Sequence, residues 1–360
     1  MRIVVAMSGG VDSSVAAALL REEGHECLGL FMRNGVAAPK GGARTNGCCS
    51  AADADDARRV CAALGMPFYA LDFEEGFRAV IQSFVEEYRR GRTPNPCVLC
   101  NRDLKFGDLL HYADAVGAEV IATGHYARRV TAPDGRAALA RAVDRGKDQS
   151  YVLYPLARPV LDRIRLPVGA FAKSEIRALA ARFGLPVAAK PDSQEICFVP
   201  GDDYRAVLRA RDPDGGTPGE IVEAATGRVL GRHEGIRDFT VGQRRGLGVA
   251  AATPLYVVGL DAERARVLVG PDEATLAVEL HAEDAIWSGR DAPAPGERFG
   301  ARVQVRSRHE AAPAEVEGGE GGAFHVRFAQ PQRAITPGQS AVVYDADAGE
   351  LLLGGGVIAT

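Results

Sequence analysis

The chain has no run of about 18 apolar residues, the length that a membrane-spanning helix needs. Its seven cysteines are an odd number scattered over 360 residues. The first absence excludes a helical membrane span. The second argues against a disulfide scaffold and for reduced thiols in a cytosol, so a cytoplasmic protein is expected. Positive charge is not in excess: 43 basic against 47 acidic residues leave a net charge of -4. Any nucleic-acid partner must therefore be held by local basic clusters rather than by a global field. Lysine itself is scarce, with five among the 43 basic residues: Lys40, Lys105, Lys147, Lys173 and Lys190. Either these are a chance remainder, or lysine is kept where a compact ammonium is of use. No internal repeat is visible. Met1-Arg2 runs straight into an apolar strand, from which no signal peptide is expected.

What is present is ordinary for a globular protein: 46% hydrophobic and 25% charged residues, with 42 glycines and 20 prolines. Such a chain buries a large core, which excludes wholesale disorder. Its length suggests roughly two to three domains. The first ~200 residues alternate strand and helix. Strands are expected at 2–6, 25–32, 67–73 and 120–123, with helices at 12–23, 50–64, 74–90 and from about 101 to 116. Residues 35–46 read as a mobile loop. This rhythm predicts an α/β fold, a parallel sheet with helices on both faces. After residue 201 short alternating segments dominate (257–260, 266–269, 302–306, 324–328, 341–344, 351–358), as in a small β-barrel or sandwich. Residues 315–322 read as a hairpin tip or flexible loop. We expect three units: residues 1–200, a small central domain over 201–270, and a C-terminal β-barrel over 271–360.

The segment Ser8-Gly9-Gly10-Val11-Asp12-Ser13-Ser14 lies between the first strand and the first helix. A glycine-rich turn into a helix N-terminus aims several backbone N–H groups at one point, and the serines add hydroxyl donors. The site suits a pyrophosphate. It is neither a Walker A loop, since no Gly-Lys-Ser/Thr follows, nor G-x-G-x-x-G. The bland reading is a turn with Asp12 capping the helix.

Cys97 and Cys100 stand in GRTPNPCVLCN, a proline-rich loop opening a helix. A thiol there, near Arg92, Arg102 and Lys105, is expected to have a depressed pKa. Cys197 follows in AKPDSQEICF. A zinc site would need four ligands, with Cys48 and Cys49 completing it; a redox CxxC is the other structural alternative. Asp192 and Ser193 read as turn caps, His125 as a satisfied polar residue or a catalytic one, and Trp287 as core. Arg89, Arg90 and Arg92, Arg128 and Arg129, Arg244 and Arg245, and Arg306 and Arg308 form basic clusters. They read either as solvated faces or as a nucleic-acid face.

The loop SGGVDSS resembles the PP-loop of the ATP pyrophosphatase superfamily. Together with FMRN, GRTPNPCVLCNRDLKF, ATGHYAR, KDQSYVLY, KPDSQEICF and GQRRGLG, it closely resembles the bacterial tRNA-specific 2-thiouridylase family. The resemblance covers nearly the whole chain and is densest over residues 1–200. It implies ATP-dependent adenylation of C2 of the anticodon wobble uridine (position 34) and sulfur transfer from a cysteine persulfide, giving 2-thiouridine, AMP and pyrophosphate. By the same resemblance Ala6, Met7, Ser8, Gly9, Gly10, Val11, Asp12 and Ser13 match the ATP-binding loop, and Met32 and Gly124 match further nucleotide contacts. Cys100 matches the nucleophile and Cys197 the persulfide carrier. Asn95, Pro96 and Cys97 match the stretch facing the target base. Lys147, Asp148 and Gln149, with Arg306 and Ser307, match tRNA contacts. Expected cofactors are ATP with Mg²⁺. Expected partners are tRNAs for Lys, Glu and Gln and a persulfide sulfur-donor protein, with no membrane.

Two departures stand out. Some members carry Asp where this chain has Cys97, and the family often reads Arg-Tyr where this chain has Arg306-Ser307. Cys97, Cys100 and Cys197 make an alternative three-thiolate set for a [4Fe–4S] cluster; the persulfide route needs only Cys100 and Cys197. The rival readings are an amidating PP-loop ligase, for which no glutaminase segment is visible, and a tRNA-binding protein without catalysis.

Overall fold

The computed structural model describes residues 1–35, 50–192, 196–199, 201 and 203–359. The expectations for residues 36–46, Lys40, Cys48, Cys49 and Ser193 lie outside them.

The N-terminal sheet is parallel, its strands ordered Phe68–Asp72, Glu26–Arg33, Arg2–Ala6, Val120–Ala122 and Ile164–Arg165. Ile3, Val4 and Val5 are fully buried, as expected of a parallel strand covered on both faces. Alternate residues feed opposite cores. Val4, Leu30 and Ile121 pack with the helix Glu74–Arg89 and the cysteine-bearing helix. Ile3, Val5 and Phe31 pack with the helices Val11–Glu22, Ala51–Ala63 and Lys173–Arg182. The chain leaves Arg2–Ala6 toward one edge through Glu26–Arg33, and returns to its other side with Val120–Ala122. That reversal opens a crevice at the carboxyl ends of the strands, where open α/β sheets bind ligands.

The central sheet is ordered Tyr256–Asp261, Arg266–Gly270, Gly219–Glu223 and Val229–His233, around Ile221, Val257, Val267 and Val269. Six C-terminal strands, Leu276–Trp287, Arg298–Gln304, Ala312–Gly318, Phe324–Arg333, Ser340–Tyr344 and Leu351–Ile358, close on themselves. Leu276–Trp287 pairs with both Phe324–Arg333 and Leu351–Ile358. Glu315–Gly318 is strand rather than tip, and the turn follows it. Trp287 is half-buried and packs against the barrel core, edge-on to Phe299 and Phe324.

A hairpin of the N-terminal unit, Ala127–Thr131 with Ala137–Arg141, adds itself to the barrel sheet, with Leu139 opposite Leu352. The Tyr151 hydroxyl donates to the Ser340 carbonyl at 3.0 Å, and Tyr344 and Leu352 share the first core with Leu153 and Tyr154. The barrel is thus welded to the first unit by a common sheet and a common core.

Candidate functional site

Ser8 to Ser13 connect the central strand to the helix Val11–Glu22, at the crevice described above. Gly10 occupies the N-cap position without a side-chain cap, so Asp12 is not the capping residue. The first N–H groups of this helix have no intrahelical acceptor, which makes the turn an anion site. The serines mostly shape the loop. Ser13 Oγ accepts from Ser8 N at 3.1 Å, and Ser14 Oγ, fully buried, donates to the Gly10 carbonyl at 2.7 Å. Ser14 is therefore not a phosphate donor. Gly9 has φ +70°, where an L side chain is strained. A Cβ on Gly124 would stand 2.5 Å from Ser13 N, so only glycine lets the next loop pass this close. Met32 is buried at the carboxyl end of the adjacent strand.

Two of the scarce lysines reach this loop from far along the sequence. Lys173 Nζ donates to both Asp12 carboxylate oxygens at 2.6 and 2.9 Å. Lys190 Nζ donates to the Gly9 carbonyl at 2.9 Å and to Asp53 and Asp56 at 2.6 and 2.7 Å. Burial pulls the Lys190 ammonium down, but the two carboxylates outweigh it and hold its pKa above the ordinary value. The Tyr126 hydroxyl donates to Asp12 at 2.8 Å, and burial with that carboxylate pushes the phenol far up, keeping it a donor. A nucleotide with Mg²⁺ suits this donor set. The helix N–H groups and the two ammoniums would meet phosphate oxygens, and the Asp12 carboxylate would hold the metal.

Asp192 is a hub rather than a turn cap. It receives Lys147 at 2.7 Å, Lys173 at 3.0 Å and Arg177 at 2.6 Å. Burial pushes its pKa up, but the hydrogen bonds and charges of Lys147 and Lys173 outweigh burial and hold it below the usual carboxylate value. An ion chain Asp12–Lys173–Asp192–Lys147 thus joins the loop to a cleft of about 1220 Å³ between the first unit and the barrel.

That cleft is lined by Asn95, Pro96, Cys97, Lys147, Asp148, Gln149 and Ser307, among others. The cysteine helix starts earlier than expected, at Pro96, because Asn95 Oδ1 accepts from Cys97 N at 3.1 Å and proline occupies the first helical position. Cys97 faces the cleft, whereas Cys100 is buried at the start of the π-helical stretch Cys100–Asp108. Such widened turns concentrate at functional sites. Cys197 is half-buried and packs on the core that contains Cys100. Ile196 lines the cleft beside it. The helix presents Cys97, Asn101 and Lys105 to the cleft. His125 also lines it, its Nδ1 2.7 Å from Thr123 Oγ1. Arg92 and Arg102 are engaged by Glu87 and Asp103.

Asp148 and Gln149 have internal partners. Asp148 pairs with Arg141 and accepts from Ala142 N, and Gln149 Oε1 accepts from Tyr126 N at 2.9 Å. They shape the turn that presents Lys147. The basic clusters divide. Arg89, Arg128 and Arg129 pair with Asp212, Glu350 and Asp162 and tie elements of the fold together, while Arg90 pairs with Glu86 at the end of its own helix. Arg244, Arg245 and Arg308 are exposed. Among the described residues, no three His, Cys, Asp or Glu side chains converge as metal ligands. The three-thiolate cluster thus has no preformed ligand set here.

Residues 1–201 match the family model described as a tRNA methyl transferase HUP domain. Residues 212–271 match a tRNA methyl transferase PRC-barrel domain, and residues 277–358 an aminomethyltransferase beta-barrel domain. Among curated proteins, the chain is 51% identical to the tRNA-specific 2-thiouridylase MnmA of Geobacter metallireducens, over 99% of this chain and 96% of that one. It is 48% identical to the protein of the same name from Chloroflexus aurantiacus, over 99% and 98%. It is 47% identical to that of Hyphomonas neptunium, over 99% and 91%.

Proposed function

From the premise that this chain belongs to the bacterial tRNA-specific 2-thiouridylase family of the PP-loop ATPase superfamily, we propose the following reaction for it. The protein is a sulfurtransferase that replaces the C2 oxygen of a tRNA uridine with sulfur, and its N-terminal domain binds ATP. Oxide is a hopeless leaving group, so the C2 oxygen must first be activated. It attacks the α-phosphorus of ATP, pyrophosphate leaves, and the oxygen becomes part of an AMP leaving group. The terminal sulfur of a persulfide on Cys197 then attacks C2, and AMP departs. The Cys100 thiolate attacks the Cys197 sulfur. The 2-thiocarbonyl is released, and a Cys100–Cys197 disulfide remains for an external thiol to reduce. Mg²⁺ supplies charge neutralisation on the phosphates.

The residues fall into matching roles. Ala6 to Ser13, with Met32 and Gly124, bind the nucleotide. Lys173 and Lys190 neutralise the departing pyrophosphate. Asn95, Pro96 and Cys97 face the target base, and Lys147, Asp148, Gln149, Arg306 and Ser307 border the RNA. The units are residues 1–200, 201–270 and 271–360. The target is the anticodon wobble uridine of tRNAs for Lys, Glu and Gln, reached when the base leaves its stack. A persulfide donor protein supplies the sulfur, and the compartment is the cytoplasm. Methyl transfer would need neither a pyrophosphate loop nor two thiols.

The observation that carries this reading is the ion chain Asp12–Lys173–Asp192–Lys147, which links the anion site to the cleft holding Cys97. The test is mass spectrometry of unmodified tRNA after incubation with ATP, Mg²⁺ and a sulfur source. A mass gain equal to one sulfur for one oxygen is expected at the anticodon uridine, with AMP and pyrophosphate formed alongside. ADP and orthophosphate as primary products would refute it.

A further inference from the structure

Among the described residues, eight buried polar side-chain atoms have no hydrogen-bond partner. Four of them, on Thr93, Asn101, Arg302 and His309, belong to residues that line the cleft. Folded proteins leave few such groups unmet, because each forfeits its hydration. Their concentration in one cleft points to a ligand that supplies the partners.

Asn101 is the most informative of the four. It is 1% exposed, directly follows Cys100 and stands one helical turn beyond Cys97. Its Nδ2 donates to the Val152 carbonyl at 3.0 Å. That bond fixes the amide orientation, since the flipped amide would set carbonyl against carbonyl. Oδ1 is left as a buried acceptor without a partner, on a residue facing the cleft. What binds against it must offer a hydrogen-bond donor. A uracil ring has one such donor next to the reacting carbon, the N3–H beside C2. A cytosine of the same size presents a bare N3 lone pair there, which repels the Oδ1 lone pairs.

We infer that Asn101 is the residue that reads the target base, its Oδ1 accepting the uracil N3–H and rejecting cytosine. This rests on the thiouridylase reading above and adds its specificity determinant. A buried group left unpaired by the wrong substrate discriminates far more strongly than a lost methylene does.

The test compares two tRNAs that differ only by uridine or cytidine at the target position, with the wild-type protein and Asn101→Leu. Wild type should thiolate uridine and leave cytidine. Asn101→Leu should lose roughly 10- to 100-fold in kcat/KM on uridine, and the uridine-to-cytidine ratio should fall with it. An unchanged ratio, both substrates losing equally, marks a merely structural residue and overturns the inference. A second measurement needs no variant: wild type on tRNA carrying 3-methyluridine at the target. Thiolation should fall by a similar factor with tRNA affinity unchanged, while 5-methyluridine reacts as uridine does. Normal thiolation of 3-methyluridine, or an equal loss with 5-methyluridine, overturns it. A wild type that thiolates no uridine at all would refute the parent reading instead.

Discussion

Lys190 sits among two nearly buried carboxylates and a loop carbonyl, so its charge holds the nucleotide loop together before any nucleotide arrives. Removing it leaves Asp53 without its charged partner and Asp56 with Arg59 alone, and Lys190→Ala should cost about 3 kcal/mol in urea unfolding. Its folded pKa is raised, so the contribution is complete at neutral pH and fades only as pH rises above the ordinary lysine range. Stability between pH 6 and pH 9, both well below that range, should be the same whether or not Lys190 is present, apart from a constant offset. The cysteines allow a sharper experiment. Cys100→Ser and Cys197→Ser should abolish thiolation yet keep pyrophosphate release, whereas Cys97→Ser should keep at least partial thiolation, all read by mass spectrometry and a pyrophosphate assay. Loss of activity in Cys97→Ser, together with an iron-dependent absorption band, would favour the cluster route. The Ser8–Ser13 loop was legible in the sequence because strand, glycine turn and helix are consecutive. The partner of Asp12 was not, since Lys173 lies 161 residues away. Asn101 carried no signal either, because its orphaned oxygen exists only through the Val152 carbonyl.

At the level of elements, the long strands and helices of the first 122 residues fall within a few residues of where hydrophobic periodicity puts them. The misses have physical causes. The hairpin Ala127–Thr131 with Ala137–Arg141 hides because Arg128 and Arg129 look like a surface charge pair. In the fold they accept a strand's alternation and bond to Glu350 and the Leu161 carbonyl. Leu276–Trp287 hides because one strand serves two partners with a register shift and a positive φ at Asp284, which breaks the alternation. The helix Tyr204–Arg211 ends on Asp212, which grips the Glu74–Arg89 helix through a two-point contact with Arg89 at 2.6 and 2.7 Å and also binds the buried Arg237. This side chain clamps the central unit to the first. The Arg89 hydrogen bonds hold its carboxyl below the usual range, so its stabilisation is present at neutral pH and lost as pH falls through the lowered value. Asp212→Ala should cost about 3 kcal/mol, since it strands the Arg237 charge. Denaturant unfolding at neutral pH checks this, and adding Arg237→Met should recover part of the loss.

The whole molecule carries a net charge of -4 and yet must hold a polyanion, so the distribution of arginine decides where tRNA docks. Clusters that looked alike in the sequence separate in the fold. Arg128 and Arg129 are committed to Glu350, Asp162 and backbone carbonyls, and neutralised charges release few counterions. Arg244 and Arg245 lie exposed on the central unit, and Arg308 on the barrel rim lines the cleft. The docking face should therefore run from the central unit across the cleft mouth. Each phosphate contact contributes about 0.7 to 0.9 to the slope of log affinity against log salt. Arg244→Ala with Arg245→Ala should reduce that slope by about 1.5 and weaken all substrate tRNAs alike. Arg128→Ala with Arg129→Ala should leave the slope unchanged while lowering the melting temperature. Filter binding over a range of salt concentrations, paired with thermal melts, distinguishes the two. If Arg128 and Arg129 move the slope and Arg244 and Arg245 do not, tRNA docks on the hairpin instead.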